Sequence, residues 1–522
     1  MGIDFANTLF HSKAWRLKNI YSIKPKGGMP IAFRPNAAQK AYYNHMWYRN
    51  HILKARQLGF STFMAMDFLD EMLFEPYTSC GLVDYRIEDA RKKVLMIRLA
   101  YENLDNGDLH PFTWRFGKIV KAAVKMEFAK ETIKFSNGSS IYASSTMRGG
   151  TLQRLHISEL GKTAFKRPLD AQEIIDGAGN SVDAGKIITI ESTHEGGRTG
   201  LHYKMLTQAM RNTSSTMTEL DYKFHFFPWH TMPDYSINRP DIKLDEDTIE
   251  YFRKLKEEMG IVLPHGKMLW YERQRNGQPT PYSMLKEFPS TPGEVFTAVV
   301  EGAIYGNIMF RLRADGAIRE VPVDPFAPIF TAWDIGSGDK TAIWLIQPVG
   351  EQFRWLRWYA KNRQDPAHYV EIVRTWEAKI GRRVAANFLP HDANNDLKTN
   401  TTYANHLREA GLENIIVVPR TSNIWASIQN VRRILPVSVF DKSCDIEEYD
   451  DLGNPITSGV GHLDAYHTKP MSVSGEVSNE IAHDDSSHTA DAARTFADAW
   501  QLGLVKSASY LGHHKIINRR TR

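Results

Sequence analysis

A chain of 522 residues is longer than one ordinary hydrophobic core, so two or three domains are expected. Apolar residues make up 42% of the chain, and its two cysteines, Cys80 and Cys444, lie far apart. This argues against disulfide scaffolds and cysteine-based zinc sites and favours a reducing cytoplasm. No run approaches the ~20 apolar residues of a membrane span, so we expect a soluble protein without membrane contact.

The net charge of +5 is concentrated at one end of the sequence. Beyond Asp498 there is no acidic residue, whereas five lysines and arginines follow. Without those five, basic and acidic residues are equal in number, at 60 each. Bulk charge is therefore weak support for a DNA-binding body. We predict a basic C-terminal tail over 506–522, which either contacts phosphates or an acidic partner or is a solvated terminus.

Apolar strands alternate with amphipathic helices in the first half. "HILKA", "CGLVDY", "RLHIS" and "KIITIEST" indicate strands, and "TFMAMDFLDEMLF" and "RIEDARKKVLMIRLAYENL" indicate helices. This alternation predicts an α/β domain over 1–204 with a parallel sheet covered by helices. Residues 205–324 are aromatic, charged and loop-rich, and we interpret them as a lid or connector subdomain.

The proline-rich "VPVDPFAPI" introduces a different pattern over 325–505. "FTAWDI", "TAIWLIQPV" and "FRWLRWYAKN" are separated by short turns, which predicts an antiparallel meander. A helix, the strand "RVAANFLPHDA", a second helix and the strand "IIVVP" follow, and "HTADAARTFADAWQLG" indicates a last helix. Three antiparallel strands followed by alternating strands and helices are the order of the RNase H-like fold.

Two segments partly match the phosphate-binding P-loop, G-x-x-x-x-G-K-[ST]. "HISELGKT" has a histidine at the first glycine position and follows a strand that ends in an acid. "KARQLGFS" lies between a strand and a helix but has Phe60 in place of the lysine. A cation near the phosphates is needed more than a cation at one fixed position, so Lys54 or Arg56 could supply the charge. We assign Lys162, in the other segment, to structure or DNA contact.

"KARQLGFST" resembles the variant Walker A motif of large terminase subunits, the DNA-packaging motors of tailed bacteriophages, in which the basic residue comes early in the loop. Four further segments resemble that family in the same order: "FRPNAAQK", "SSTMRGG" before "RLHISE", "IITIEST" and "EFPSTPGEVF". The family usually has Asp before the catalytic Glu, where this chain has Ser158. The resemblance implies an N-terminal P-loop ATPase of the RecA/ASCE-like type, a lid and a C-terminal RNase H-like nuclease.

The resemblance also implies roles for individual residues in an ATP and Mg²⁺ site. Gln39 would read the adenine, Glu159 would orient or deprotonate the attacking water, and Arg148 would be an arginine finger. Ser192 and Thr193 would couple hydrolysis to movement. The nucleotide and its Mg²⁺ would be bound by the following residues: Lys54, Arg56, Gln57, Gly59, Ser61, Thr62 and Ser158.

Cleavage of a phosphodiester with two metal ions requires carboxylates that converge from separate elements. Asp334 ends a strand, Asp392 follows a strand, and Asp491 is predicted in the first turn of the last helix, where the helix dipole favours its ionised form. "SHTADAAR" resembles the final nuclease motif of the terminase family. We therefore predict a Mg²⁺ site, with Mn²⁺ as a substitute, at these three residues, with Asp339, Asp485 and His488 as neighbours.

The resemblance implies a packaging motor that translocates double-stranded DNA into a procapsid and cuts concatemeric DNA in the host cell cytoplasm. Its expected partners are the portal protein, a small terminase subunit and further copies of this chain in a homo-oligomeric ring, a pentamer in the family. Two alternatives stay open: a helicase fused to a nuclease for repair or recombination, and an adaptor whose ATPase is degenerate.

Overall fold

The computed structural model describes residues 10–25, 27–146, 150–278, 283–297, 302–336, 340–395, 401–421, 423–446, 448–449, 455–469 and 480–505. Contacts divide the chain into two compact units. The first comprises Met1–Gly196 and Gly200–Ala298, and the second comprises Gly197–Thr199 and Val299–Arg522. None of the helices in the described ranges is both long enough and apolar enough to cross a membrane.

The first unit is built on an eight-stranded sheet. Its strands, with a separate small pair at β1 and β2, are β1 (Ser22–Ile23), β2 (Ile31–Ala32), β3 (Arg49–Lys54), β4 (Ser79–Val83), β5 (Met126–Ala129), β6 (Thr132–Phe135), β7 (Ser140–Ser144), β8 (Leu152–Ser158), β9 (Val182–Ser192) and β10 (Tyr222–Phe227). The large sheet has the order β10-β3-β9-β8-β4-β7-β6-β5. The strands from β10 to β7 pair in parallel, which confirms the predicted parallel sheet. An unpredicted antiparallel hairpin, β5 and β6, extends one edge.

Twelve helices of the first unit are described. They are α1 (Lys13–Asn19), α2 (Ala37–His45), α3 (Phe60–Phe74), α4 (Ile87–Glu102), α5 (Trp114–Ala123), α6 (Leu160–Lys166), α7 (Pro168–Ser181), α8 (Gly200–Arg211), α9 (Glu246–Met259), α10 (His265–Asn276), α11 (Ser283–Glu287) and α12 (Pro292–Thr297). Helix α3 follows β3 directly and is buried on nearly all sides, because its sequence is apolar on nearly all sides. The turn between β3 and α3 is thereby anchored at both ends in the core.

Buried charges connect three elements of the first unit. Asp70 of α3 accepts two hydrogen bonds from the Arg16 guanidinium, at 2.9 and 2.7 Å, and one from the Tyr21 hydroxyl at 2.6 Å. Glu71, the next residue along α3, lies 2.6 Å from Lys13 Nζ and 2.8 Å from an Arg154 guanidinium nitrogen of β8. These ion pairs hold α1 and β8 against α3.

The second unit is built on a seven-stranded sheet. Its strands, with a small pair at β18 and β19, are β11 (Ile318–Arg319), β12 (Phe330–Asp334), β13 (Lys340–Val349), β14 (Gln352–Asn362), β15 (Ala386–Leu389), β16 (Ile415–Val417), β17 (Ser438–Asp441), β18 (Glu448–Tyr449) and β19 (Pro455–Ile456). The large sheet has the order β11-β17-β14-β13-β12-β15-β16. Strands β12, β13 and β14 are antiparallel, whereas β15 and β16 continue in parallel beside β12. The predicted RNase H-like strand order is confirmed, and β17 and β11 extend it in parallel beyond β14.

The helices described in the second unit are α13 (Gly306–Ala314), α14 (Pro366–Ile380), α15 (Tyr403–Glu409), α16 (Ile424–Ile434), α17 (Gly459–Ala465) and α18 (Asp485–Gln501). Local sequence sets the ends of α14, because Asp365 caps its first turn and Gly381 ends it in the left-handed conformation. Helix α18 begins earlier than the sequence predicted. Asp484 caps it by accepting the Ser486 N–H at 2.9 Å, so Asp491 lies in the second turn.

The contacts assign the segment 205–324, predicted as a lid or connector, partly to each of the two units. Residues 205–298 belong to the first unit, where β10 extends the sheet beside β3. Helix α13 and strand β11 belong to the second unit, where β11 pairs with β17. Within the described residues, the segment 205–324 is therefore divided between two units and does not form a third unit of its own. The division into ATPase core, lid, nuclease and tail stays a prediction.

Candidate active sites

The turn between β3 and α3 has a backbone that needs glycine at its end. Gly59 has a φ of +75°, and a Cβ there would lie 2.8 Å from Gln39 Nε2. The same Nε2 donates to the Gly59 carbonyl at 2.8 Å, and Gln39 Oε1 accepts the Asn36 N–H at 2.9 Å. Both ends of the Gln39 amide are therefore engaged in fixing the loop, and its role as the adenine reader stays a prediction.

The structure distinguishes the two candidate cations of the loop. Lys54, at the end of β3, is buried, and its Nζ lies 3.2 Å from Glu191 Oε2 and 3.7 Å from Glu159 Oε1. The Arg56 side chain is 61% exposed and pairs with Glu287 at 3.1 Å. Phe60, at the usual lysine position, is buried with its ring 4.8 Å from that of Phe227. Lys54 is thus the cation that lies beside the carboxylates.

Other residues predicted in the nucleotide site surround this turn. Gln57 is exposed and has a φ of 61°, and Thr62 is partly buried in the first turn of α3. Ser61 lies next to Thr62 and donates from its Oγ to Glu191 Oε1 at 2.7 Å. The hydroxyl that a Mg²⁺-nucleotide site requires at the start of the helix is therefore present and faces a carboxylate.

Two glutamates lie at the carboxyl ends of adjacent parallel strands. Glu159 follows β8 with a φ of 56°, a left-handed conformation that is uncommon for a residue with a side chain. Glu191 lies at the end of β9, directly opposite Ser158 in the strand register. The Ser158 hydroxyl donates to Glu191 Oε1 at 2.9 Å. Glu191 was not predicted as a site residue, although Glu191 immediately precedes the predicted coupling residues Ser192 and Thr193.

The two glutamates differ in electrostatics. Burial favours the neutral form of each, but the Lys54 ammonium and the nearby His156 hold the pKa of Glu191 below its usual value. Burial raises the pKa of Glu159, and the Lys54 charge only partly opposes this shift. The carboxylates of Glu191 and Glu159 in turn raise the pKa of Lys54 against the effect of burial. Neighbouring acids with diverging pKa values are typical of acid–base sites.

The predicted coupling residues contact the turn that carries Glu159. The Gly161 N–H donates to Ser192 Oγ at 2.9 Å, and the Glu159 N–H donates to the Glu191 carbonyl at 2.8 Å. A Cβ at Gly161 would lie 2.3 Å from the Thr193 carbonyl oxygen, so the two segments approach closely. A displacement of the Glu159 turn would therefore displace Ser192 and Thr193 as well.

Arg148 and Lys162 lie on either side of β8 in the sequence, and a role was predicted for each. Arg148, the proposed arginine finger, lies outside the described residues. Lys162 is on α6, and its Nζ lies 4.7 Å from the centre of the Tyr85 ring. That contact is consistent with the structural role considered for Lys162.

The second unit brings the three predicted nuclease acids to one cavity. Asp334 ends β12, Asp392 lies in the 3-10 turn His391–Asn394 after β15, and Asp491 is on α18. All three line a cavity of about 320 Å³. Residues that sequence analysis did not select also line it, among them Arg420, Thr421, Arg494 and Asp498.

Side chains of α18 contact two of these acids. His488 Nδ1 lies 3.0 Å from Asp334 Oδ2, which agrees with its predicted place beside the acids. Burial raises the pKa of Asp334 to about 6 despite this contact, and the Asp491 charge adds to the shift. Arg494 contacts Asp491 Oδ1 at 2.6 and 2.9 Å. The prediction that Asp491 lies in the first turn of the last helix was wrong, because α18 already begins at Asp485; the charged neighbour of Asp491 is Arg494, one turn further along the same helix.

The donor types at both sites suit a hard divalent cation, which prefers oxygen ligands. Within the described ranges, no group of three or more His, Cys, Asp or Glu side chains could hold a metal ion by itself. In the cavity, Asp334 contacts His488 and Asp491 contacts Arg494. Asp339, predicted as a neighbour of these acids, lies outside the described residues. In the first unit, Glu191 Oε2 is buried and lies 3.2 Å from Lys54 Nζ. The residues fit Mg²⁺ in donor chemistry, and metal binding stays a prediction.

Comparisons with known proteins gave matches among solved structures. No protein-family model matches the chain, and no curated protein matches it. The chain is similar to the large terminase of bacteriophage HK97, with 12% identity and a TM-score of 0.40, over 87% of this chain and 98% of that chain. It is also similar to the large terminase ATPase domain of Thermus phage P74-26, with 14% identity and a TM-score of 0.32, over 49% of this chain and 94% of that chain. A third similarity is to the P22 large terminase nuclease domain, with 14% identity and a TM-score of 0.27, over 37% of this chain and 89% of that chain. The similar structures are thus large terminases or their domains, and the similarity extends over most of this chain at low sequence identity.

Proposed function

We propose that the chain is the large subunit of a phage terminase, which hydrolyses ATP to translocate double-stranded DNA and cuts that DNA with a metal-dependent nuclease. One observation supports it most. Lys54, Ser61 and two glutamates converge at the carboxyl ends of parallel strands, where a left-handed glycine leads into α3. Ligands bind at this edge of open parallel sheets, and the helix N-terminus there favours phosphate.

In the ATPase, the loop amides near Gly59 and the start of α3 would bind the phosphates. Lys54 would neutralise their charge, and Ser61 would help to hold Mg²⁺. Glu159 would orient or deprotonate the attacking water, for which its raised pKa and strained backbone are suited. Mg²⁺, when bound, neutralises charge on the phosphates.

In the nuclease, Asp334, Asp392 and Asp491 would bind Mg²⁺ or Mn²⁺, and His488 would orient Asp334. The chemistry that metal ions held by these three carboxylates would supply is activation of a water molecule and stabilisation of the leaving oxygen. Before metal binds, Arg494 compensates the charge of Asp491, so the acids can lie in one cavity without full mutual repulsion.

Translocation requires that hydrolysis change the position of another segment. Ser192 and Thr193 would transmit the change, because they contact the Glu159 turn through Gly161. Arg148 would act on a neighbouring subunit of a ring, a pentamer as the terminase resemblance implies. The portal protein of the procapsid and a small terminase subunit would be the partners, in the host cell cytoplasm.

ATP hydrolysis measured with and without DNA, and with and without procapsids, tests this function. A packaging motor should be stimulated by DNA, should engage procapsids that carry the portal, and should leave the duplex intact. DNA-stimulated hydrolysis with strand separation would instead support a helicase-nuclease fusion. If a correctly folded chain hydrolyses no ATP under any of these conditions, the result would support the adaptor and contradict the proposal.

A further inference from the structure

The residue before Glu159 lacks a group that metal-nucleotide sites use. P-loop sites hold Mg²⁺ with the hydroxyl of the loop and an acid on a neighbouring strand. At the end of β8 this chain has Ser158, whose hydroxyl is a weaker ligand for a hard cation than a carboxylate. Directly opposite Ser158 on β9 lies Glu191, with the two side chains 2.9 Å apart. A carboxylate is therefore present at this place, but it comes from the adjacent strand.

The contacts of Glu191 are those expected of a group aimed at the nucleotide. Its Oε1 accepts the hydroxyls of Ser61 and Ser158. Its Oε2 is buried and lies 3.2 Å from Lys54 Nζ. Lys54 and Ser61 lie at opposite ends of the loop that would enclose the phosphates, and Glu191 contacts both.

A purely structural explanation accounts for only part of this arrangement. A counter-ion for Lys54 needs one carboxylate near the ammonium, and Glu159 lies 3.7 Å away. A second, fully buried carboxylate is costly to desolvate, and the Ser61 hydroxyl contributes nothing to neutralising a lysine. A hydroxyl and a carboxylate that reach one point beside a phosphate loop are, in contrast, the protein's share of a Mg²⁺-nucleotide site, where water and phosphates complete the coordination.

We propose that Glu191 is the carboxylate that positions the divalent cation of the bound nucleotide at Ser61, in place of the acid that Ser158 replaces. The inference rests on the proposed ATPase function and adds a residue to its site. It also accounts for a serine before Glu159, because Glu191 supplies a carboxylate 2.9 Å from the Ser158 hydroxyl.

Binding of ADP to the full chain, measured by calorimetry in excess Mg²⁺ and in excess EDTA, tests the proposal without turnover. For the unaltered chain, Mg²⁺ should strengthen ADP binding. In Glu191→Gln this strengthening should fall by about 10–100-fold, the loss typical of disturbed metal positioning, whereas the affinity in EDTA should stay the same. The matched control is Glu195→Gln, which removes another largely buried carboxylate that also has a lysine, Lys286, at 3.2 Å. It should leave both affinities unchanged.

A carboxylate transfer makes the test specific. Ser158→Asp in the Glu191→Gln background should restore the Mg²⁺ strengthening, because the two positions lie opposite each other in register. Ser61→Ala should lose the strengthening as Glu191→Gln does, and it serves as the second variant if Glu191→Gln does not fold. Persistent strengthening in Glu191→Gln or Ser61→Ala, or an equal loss in EDTA, would overturn the proposal, since an equal loss means that Glu191 acts through Lys54. Failure of the unaltered chain to bind ADP in either condition would instead refute the ATPase function itself.

Discussion

Lys54 at the end of β3 and Arg56 in the turn before α3 lie two residues apart but in different surroundings. Lys54 is buried between Glu191 and Glu159, and Arg56 is largely exposed beside Glu287. Lys54→Ala should lower ATP turnover by about 100-fold or more, as loss of a group that stabilises transition-state charge does. Arg56→Ala should retain most of the activity. Steady-state ATP hydrolysis by the two variants measures the difference, and full activity in Lys54→Ala would refute this assignment.

His51 is a second residue whose surroundings predict a measurable effect. Within the described part of the chain, neither of its ring nitrogens has a hydrogen-bond partner. Burial, with the nearby His194 and His225, lowers its pKa from 6.5 to about 3. The folded state therefore keeps His51 neutral, so its contribution to stability is complete above pH 6.5 and is lost as the pH falls towards 3.

His51→Leu should reduce the sensitivity of the first unit to acid. Between pH 7 and pH 5, the loss of unfolding free energy should be smaller than in the unaltered chain by about 2 kcal/mol. Thermal or denaturant unfolding at the two pH values measures this quantity. His11→Leu, at an exposed position, is the control and should leave the pH dependence unchanged. An identical pH dependence in all three chains would contradict a neutral, buried His51.

At the scale of elements, hydrophobic pattern and local capping predicted most of the strands and helices that carry the sites. Lys54 ends β3 and Asp334 ends β12, as the apolar runs before them indicated. Glu191 was missed because its partner Ser158 is a neighbour only through strand register, which a single sequence does not reveal. The start of α18 was predicted too late, because the apolar period of the helix does not reveal the cap at Asp484. Arg494 was overlooked, although its spacing of three residues from Asp491 permits an ion pair on one helix face.

The contact between α1 and α3 leads to a prediction about stability. Arg16 and Asp70 are both buried, with two hydrogen bonds between them. Arg16→Ala should destabilise the first unit by about 3–5 kcal/mol, because it leaves the Asp70 carboxylate buried without its cation. The double replacement Arg16→Met with Asp70→Leu should cost less than the single one, since no charge then stays buried.

Denaturant unfolding of the single and double variants measures both effects. Arg253→Ala is the control, because Arg253 pairs with Glu250 on the exposed face of α9 and its removal should hardly change stability. A double variant that is as unstable as Arg16→Ala would show that the packing of α1, and not the isolated carboxylate, determines the loss.

At the scale of the whole molecule, the two predicted chemistries lie in separate units. The carboxylates of the first unit lie at the ends of parallel strands, beside the turn between β3 and α3. Those of the second unit line a cavity on a sheet with the RNase H-like strand order. Two α/β units could be predicted from the sequence, because each has its own strand pattern. The predicted limit near residue 325 follows the proline-rich segment, the most visible change in composition, whereas the contacts divide the chain near residue 299, before α13 and β11.

Separate sites predict separate losses of activity. Asp334→Asn should abolish DNA cleavage, because the amide is a poor ligand for a hard cation and cannot compensate its charge. ATP turnover by the same chain should stay nearly intact, since Lys54 and Glu159 lie in the other unit. Mg²⁺ or Mn²⁺ at a concentration of 100 times its dissociation constant should stabilise the folded state of the unaltered chain by about 2.7 kcal/mol. The melting temperature should therefore rise when metal is added, and Asp334→Asn should reduce this rise. Glu371→Gln, on the exposed face of α14, is the matched control and should leave all three measurements unchanged. Cleavage that persists in Asp334→Asn, or in excess EDTA, would exclude a metal-dependent nuclease at this cavity.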